Sequence, residues 1–465
     1  MRLIPLPRNT NTNTNFIFFL SLFFTTALTK QIPTTTTTRR TATLPSLPSE
    51  IISRFQEYLR INTSQPNPDY SKAVDFILSQ AKSLSLESQV IEFVKDKPLI
   101  LLKWPGLFPN LPSVLLNSHT DVVPVESHKW SYPPFQAHID SHGNIFARGS
   151  QDMKCVGMQY LEAIRNLKST GFEPIRTIYL SYVPDEEIGG RDGAENFAKS
   201  HVFKQMNVGF VLDEGRPSPD ENYHIFYAER SPMWLVIKAI GAPGHGAKLY
   251  DNTATENLLK SIESIQQYRA SQFELLKAGL KTAGEVVSVN VVFLKAGIQT
   301  PAGFVRNIQP SEAEAGIDIR VPPTIDQVAF EKRIADEWAP ALRNMTFKFE
   351  EKFSVLDKFG KPAMTVANSS NPWWMLLEEA IHDGGGKLEK PDIFPGGTDA
   401  NFFRQQGIPA IGFSPIANTP SLAHGHNEFL NQREYLKGVN IYASIIKAFA
   451  SKPELKTTEV LKDEL

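Results

Sequence analysis

Cysteine is nearly absent: Cys155 is alone among 465 residues. No disulfide framework can form within the chain, and cysteine cannot cage a metal ion. Cys155 reads as a small buried residue. An excess of one charge is also missing. Lysine and arginine number 48 against 50 acidic residues, a formal net charge of −2, and no basic cluster occurs. Nucleic acid is therefore not an expected partner, because phosphate binding needs a basic footprint. Membrane-length apolar runs are lacking too. Phe16–Leu28 covers 13 residues and is interrupted by Ser21, Thr25 and Thr26. That is too short to span a bilayer comfortably.

What stands at the two ends reads as an address. Arg2 and Arg8 precede the short apolar run, the pattern of a signal peptide. The lack of acids before Glu50 and the low-complexity Thr34–Thr38 would also suit a transit peptide. Lys462-Asp463-Glu464-Leu465 decides for the first, since it matches the endoplasmic-reticulum retention tetrapeptide. The expectation is a signal peptide over 1–29, a Pro/Thr-rich linker over 30–47, and a tail over 453–465 bound by a retention receptor. The mature chain then resides in the reticulum lumen with no membrane span. Sequons at Asn62, Asn344 and Asn368 become glycan acceptors there.

Between the ends the composition is that of a globular protein, 41% hydrophobic and 21% charged, and the length suggests two or three domains. One pattern recurs: an apolar strand, then an ionisable cluster. Val114–Asn117 leads to His119 and Asp121. Thr177–Val183 leads to Asp185, Glu186 and Glu187. Val208–Leu212 leads to Asp213 and Glu214. Ile408–Phe413 leads to a loop with His424 and His426. Asp152 precedes a helix, Met153–Lys168, where it is also a good N-cap. The carboxyl ends of strands are where open α/β sheets bind ligands.

A stretch of different rhythm interrupts this pattern. Trp234–Ile240, Val286–Lys295, Glu312–Arg320 and Thr346–Phe353 read as strands, Thr255–Phe273 and Thr324–Leu342 as helices. The order β-α-β-β-α-β is the ferredoxin-like arrangement. The expected fold class is α/β: a catalytic domain with a central, mostly parallel sheet over 48–229 and 354–452, interrupted by a ferredoxin-like lid and dimerisation domain over 230–353.

The strand-end groups form an N/O constellation: His119, Asp121, Asp152, Glu186, Glu187, Asp213, Glu214, and His424 or His426. Each alone has a plain explanation as surface charge. Together they match the donor set of a catalytic zinc site, in which two metals can share one carboxylate.

His119-Thr120-Asp121, Gly149-Ser150-Gln151-Asp152-Met153-Lys154, Pro184-Asp185-Glu186-Glu187-Ile188-Gly189-Gly190 and Gly396-Gly397-Thr398-Asp399 resemble the dinuclear zinc peptidase family. That family includes aminoacylases, carboxypeptidase G and succinyl-diaminopimelate desuccinylase. The likeness runs from about Pro48 to Ala450. Val211–Gly215, Tyr227–Arg230, Gly241–Gly246 and Gly412–Pro415 resemble its aminoacylase members in particular.

The resemblance implies two zinc ions per subunit. His119, Asp152 and Glu214 would hold one, and Asp152, Glu187 and His424 the other. Glu186 would be the general base and Asp121 would tune His119. His245 would donate to the oxyanion, and Asn307 and Arg320 would contact substrate. It further implies hydrolysis of N-acyl-L-amino acids, and a homodimer paired through the lid. A dipeptidase or aminopeptidase, or a non-catalytic luminal binding protein, is the alternative. One departure stands out. Relatives often carry an arginine two residues after the Asp of Thr-Asp, where it clamps the substrate carboxylate; here Asn401 has that place. Arg404, one helical turn on, is the expected substitute.

Overall fold

The computed structural model describes residues 46–453. The expected signal peptide, the linker up to residue 45 and the tail beyond Pro453, with its tetrapeptide, lie outside the described residues. Among the described residues no helix is long and apolar enough to cross a membrane.

An eight-stranded sheet organises the molecule. Its order is Glu87–Val94, Lys97–Trp104, Ile178–Val183, Ser113–His119, Val208–Asp213, Ala410–Phe413, Ile225–Glu229, Asp392–Phe394. The four inner strands, Ile178–Val183 to Ala410–Phe413, are parallel. Lys97–Trp104 and Ile225–Glu229 run antiparallel to their inner neighbours. The sheet is thus mostly parallel, and it is covered on both faces. Val114 and Leu116 point into a core shared with helices Pro48–Leu59, Lys154–Ser169, Pro372–Asp383 and Gln432–Ser451. Leu115 points to the other side, against Phe197, Phe203 and Phe403. Every residue of Ser113–His119 is buried, which is why that strand reads as a continuous apolar run and not as an alternation. With both faces closed, the strand ends are the place left for a polar site.

Helix Lys154–Ser169 begins one residue later than its spacing predicts. Its N-cap is Met153, and no side chain caps it. Asp152 therefore lies outside the helix, and the capping explanation for it fails. The helix packs on Gln432–Ser451 through Tyr160 and Tyr442, whose ring centroids are 4.6 Å apart.

The interrupting segment forms a four-stranded antiparallel sheet ordered Ser288–Ala296, Glu312–Val321, Ser231–Ile240, Met345–Lys352. The chain order is strand, helix, two strands, helix, strand, as expected for a ferredoxin-like unit. Helices Ala254–Lys277 and Gln327–Arg333 contribute Leu258, Ile265 and Phe330 to a core with Leu235, Ile237, Ile317 and Ile319. The second helix is shorter than the predicted Thr324–Leu342. It starts at Gln327, where Asp326 accepts from Ala329 N–H, and after a wide turn over Ile334–Trp338 it stops. Pro340 explains the stop, because the residue before a proline is forced out of the helical region. The sheet's other face carries cross-strand ion pairs, Lys238–Glu312 at 2.7 Å and Lys295–Glu314 at 3.2 Å.

Candidate metal centre and active site

His119 closes its strand as a fixed tautomer. Its Nδ1–H donates to the backbone carbonyl of Asp121 at 2.8 Å, so Nε2 is left free to bind a cation or accept a proton. Nε2 lies 3.0 Å from Asp152 Oδ1 and 3.7 Å from Glu214 Oε1. On the other side of the same carboxylate, His424 Nε2 is 3.3 Å from Asp152 Oδ2 and 3.0 Å from Glu187 Oε2. The two oxygens of Asp152 thus face two different histidines. Two sets of possible ligand atoms result, His119–Asp152–Glu214 and Asp152–Glu187–His424, each with its atoms within 4.8 Å of one another.

Distances separate the groups that the spacing left as alternatives. Asp213 is buried and accepts from Asn117 Nδ2 at 3.0 Å, whereas Glu214 joins the first set. His426 pairs with Glu126 at 3.4 Å, outside both. Glu186 belongs to neither set, and its Oε2 stands 4.0 Å from His119 Nε2. Asp121 meets His119 Nδ1 twice, through its backbone carbonyl at 2.8 Å and its carboxylate Oδ1 at 3.4 Å. Its carboxylate does something the sequence did not signal: Oδ1 accepts from the N–H of Glu186 at 3.2 Å and Oδ2 from that of Glu187 at 3.3 Å. Gln65, also unsignalled, donates to the same Oδ2 at 2.8 Å.

The electrostatics fit a cation. Among the described residues, no lysine or arginine pairs with Asp152, Glu186, Glu187 or Glu214. Burial, then the charge of Glu214, raises the Glu186 carboxyl well above the usual range. Burial, then Asp152, raises Glu214 and pushes Glu187 up to about 7. Hydrogen bonds to Asp152 and Glu187 push His424 up to about 10. Glu187 Oε1 is buried and has no hydrogen-bond partner. Negative charge crowded this closely is stabilised by a bound divalent ion, and hard oxygen with imidazole nitrogen suits zinc and its neighbours.

The remaining predicted residues lie elsewhere. His245 sits on the four-stranded unit, exposed, in a two-residue ladder with Ile308. Its Nδ1 accepts from Ala247 N–H at 3.1 Å, and Asn307 is its neighbour, the Asn307 carbonyl accepting from Gly246 N–H at 2.7 Å. Arg320 lies at the opposite end of that sheet, beside Pro232 in register, and is held by Asp318 at 2.8 Å. Eight residue-to-residue steps along the strand Glu312–Val321 lead from Glu312 to Arg320, roughly 26 Å at the usual rise. Arg404 is buried. Its side chain is 2% exposed and paired with Glu229 at 3.2 Å, and its Nε donates to the Ala410 carbonyl at 3.0 Å. Its burial and these two partners speak against the carboxylate-clamp role expected of it.

A mostly parallel sheet whose strand ends gather two N/O ligand sets around one carboxylate defines the class, a metal-dependent hydrolase. The model of peptidase family M20/M25/M40 matches residues 115–448. Aminoacylase-1 of Mus musculus is 45% identical over 406 residues, 87% of this chain and 96% of that protein. An M20 family metallo-carboxypeptidase from Sulfolobus solfataricus superposes with a TM-score of 0.64 at 19% identity, covering 86% of this chain and 99% of its own. A dinuclear metal binding peptidase of the M20 family from Bacillus subtilis gives 0.61 at 15%, covering 86% and 99%. The chain belongs to peptidase family M20/M25/M40.

Proposed function

We propose that this protein hydrolyses N-acyl-L-amino acids to a free amino acid and a carboxylate, using two zinc ions per subunit. The observation that carries the reading is the likeness to aminoacylase-1 along 96% of that protein's length, with a full set of ligand and base residues gathered at one place. His119, Asp152 and Glu214 hold one ion, Asp152, Glu187 and His424 the other. Bound zinc supplies polarisation of the scissile carbonyl and lowers the pKa of water.

The chain's own groups do the proton work. Glu186 stands beside the first ligand set without belonging to it, so its carboxylate is free to take a proton from the attacking water. It then passes that proton to the leaving amine nitrogen. Asp121 holds the N–H groups of Glu186 and Glu187 on one carboxylate, which aims the base and the ligand together.

His245 and Asn307 form a donor pair on the lid, with no hydrogen bond or ion pair to this cluster among the described residues. We assign them to the active site of a partner subunit, in a homodimer paired through the lid, where His245 donates to the tetrahedral oxyanion. Arg320, at the end of the lid sheet nearest the catalytic strands, serves its own site. Residence in the reticulum lumen, through a signal peptide and a retention receptor, belongs to the same proposal and rests on Phe16–Leu28 and Lys462–Leu465. The deciding assay measures kcat/KM for acetylated amino acids against unblocked dipeptides, with zinc counted on the same preparation. Preference for the dipeptides overturns the aminoacylase reading in favour of a dipeptidase.

A further inference from the structure

Arg148 and Glu428 are 280 residues apart and form a buried ion pair, Nη1–Oε2 2.7 Å, with side chains 3% and 0% exposed. Each contacts the loop of the other. Glu428 Oε2 accepts from Gly149 N–H at 3.2 Å, and its Oε1 from Gln151 N–H at 2.6 Å and from the Ser150 hydroxyl at 3.4 Å. Those are the three residues that lead into Asp152. In return Arg148 Nη2 donates to the backbone carbonyl of His424 at 3.4 Å. Gln151 adds three bonds between the same loops: its Nε2 donates to the carbonyls of Pro420 and Phe429, and its Oε1 accepts from Leu422 N–H.

The arrangement has a stake in the geometry of His424. That residue holds φ at +63°, a conformation disfavoured for a side chain with a Cβ, and such conformations persist only where surrounding contacts over-determine them. The His424 side chain is itself 58% exposed, so packing alone does not hold it. Asp152 also touches this network through the three residues before it, but it has further anchors outside the network: His119 Nε2 stands 3.0 Å from its Oδ1, and the buried helix Lys154–Ser169 begins two residues on.

We propose that the Arg148–Glu428 pair is a positioning device that sets His424 at the correct distance from Asp152, and so controls the affinity of the second metal position selectively. The inference rests on the ligand assignment made under the proposed function. A guanidinium fork is required, since one nitrogen holds Glu428 while the other holds the His424 carbonyl; a lysine keeps the charge but offers a point donor. In Glu428→Gln an amide N–H would meet N–H groups that now have an acceptor.

The test uses the full chain loaded with zinc, dialysed against graded chelator, with zinc per chain counted by mass spectrometry. Variants are Glu428→Gln, Arg148→Lys and Gln151→Ala, with His424→Ala as reference and the melting temperature recorded for each. The expected result is one equivalent held as in the parent and a second released at about 10- to 100-fold lower chelator, the usual cost of losing a ligand's supporting partner. A purely structural pair would lower the melting temperature and leave the two affinities in their parental ratio, which would overturn the proposal. If Glu428→Gln does not fold, Arg148→Lys and Gln151→Ala carry the same two outcomes. Failure of the ligand assignment is separately visible: His424→Ala would then keep both equivalents.

Discussion

Arg404→Met separates a supporting role from a substrate role. In the structure the guanidinium serves Glu229 and the Ala410 carbonyl, both buried. Removing one partner of a buried pair costs about 3–5 kcal/mol, because a charge is left without its counterion. Here the low end is expected, since Glu229 keeps a 2.6 Å bond from the Thr398 hydroxyl. Protonation of Glu229 is the other relief, and it makes the loss depend on pH. Burial, opposed by Arg404, already pushes the Glu229 carboxyl up to about 6, from an ordinary 4.5. A carboxyl raised in the folded state holds its proton more tightly than in the unfolded chain. Its ionisation therefore costs stability as pH rises from about 4.5 through 6, and is neutral below. Without Arg404 the folded value climbs further. The deficit of the variant relative to the parent must be largest above pH 6 and shrink toward pH 4.5. Urea unfolding at several pH values measures it, and KM for an acetylated amino acid is recorded in parallel. The double variant Arg404→Met with Glu229→Met should regain most of the loss, as buried pairs replaced by apolar residues often do. Unchanged stability with a several-fold higher KM would refute the reasoning and return Arg404 to the substrate.

Four further outcomes are expected. Glu186→Gln loses turnover by about 10²- to 10⁴-fold, the usual worth of a general base, and keeps both zinc ions; Glu187→Gln loses zinc, and equal zinc loss in the two would exchange their roles. Asp152→Ala loses both ions, since it is the shared carboxylate; a variant with full metal and only a lower melting temperature speaks against bridging. Mixing Glu186→Ala with His245→Ala under subunit exchange restores part of the activity, because a heterodimer contains one site with its own Glu186 and the partner's intact His245; confirmed exchange without activity removes the trans assignment. Deleting residues 462–465 sends the protein to the medium, and retention of the truncated chain in the reticulum argues against the address.

Much of the site was legible because its groups follow strands that announce themselves. Val114–Leu116 and Val208–Leu212 are short apolar runs, and a charged group directly after such a run has few places to be except a strand end. The order of the lid elements was legible for a related reason, since its sheet alternates in burial and its helices do not. What escaped was whatever depends on a partner distant in sequence. Arg404 looks like a substrate clamp until Glu229 appears beside it. Asp121 reads as a tuner of its neighbour, and its carboxylate does lie 3.4 Å from His119 Nδ1, but its bonds from the Glu186 and Glu187 N–H groups carry no local signal. Gln65 carries no local signal at all. The strands Ile225–Glu229 and Asp392–Phe394 and the helices Pro372–Asp383 and Gln432–Ser451 also went unread, although Asn371 before Pro372 and Asn431 before Gln432 are ordinary caps.

The place of Ala410–Phe413 between Val208–Asp213 and Ile225–Glu229 has a consequence for synthesis. A ribosome releases the two flanking strands first and the one that joins them roughly 200 residues later, an interval of about 10–40 s at common elongation rates. Meanwhile the lid, whose own core is complete by Val355, has everything it needs to fold. The nascent protein therefore carries a finished lid on a half-built sheet, with the edge of Val208–Asp213 open and His424 not yet made. The ligand set that needs His424 is completed only late in synthesis, long after the His119–Asp152–Glu214 set, and the open edge is the point at which a chaperone has most to protect.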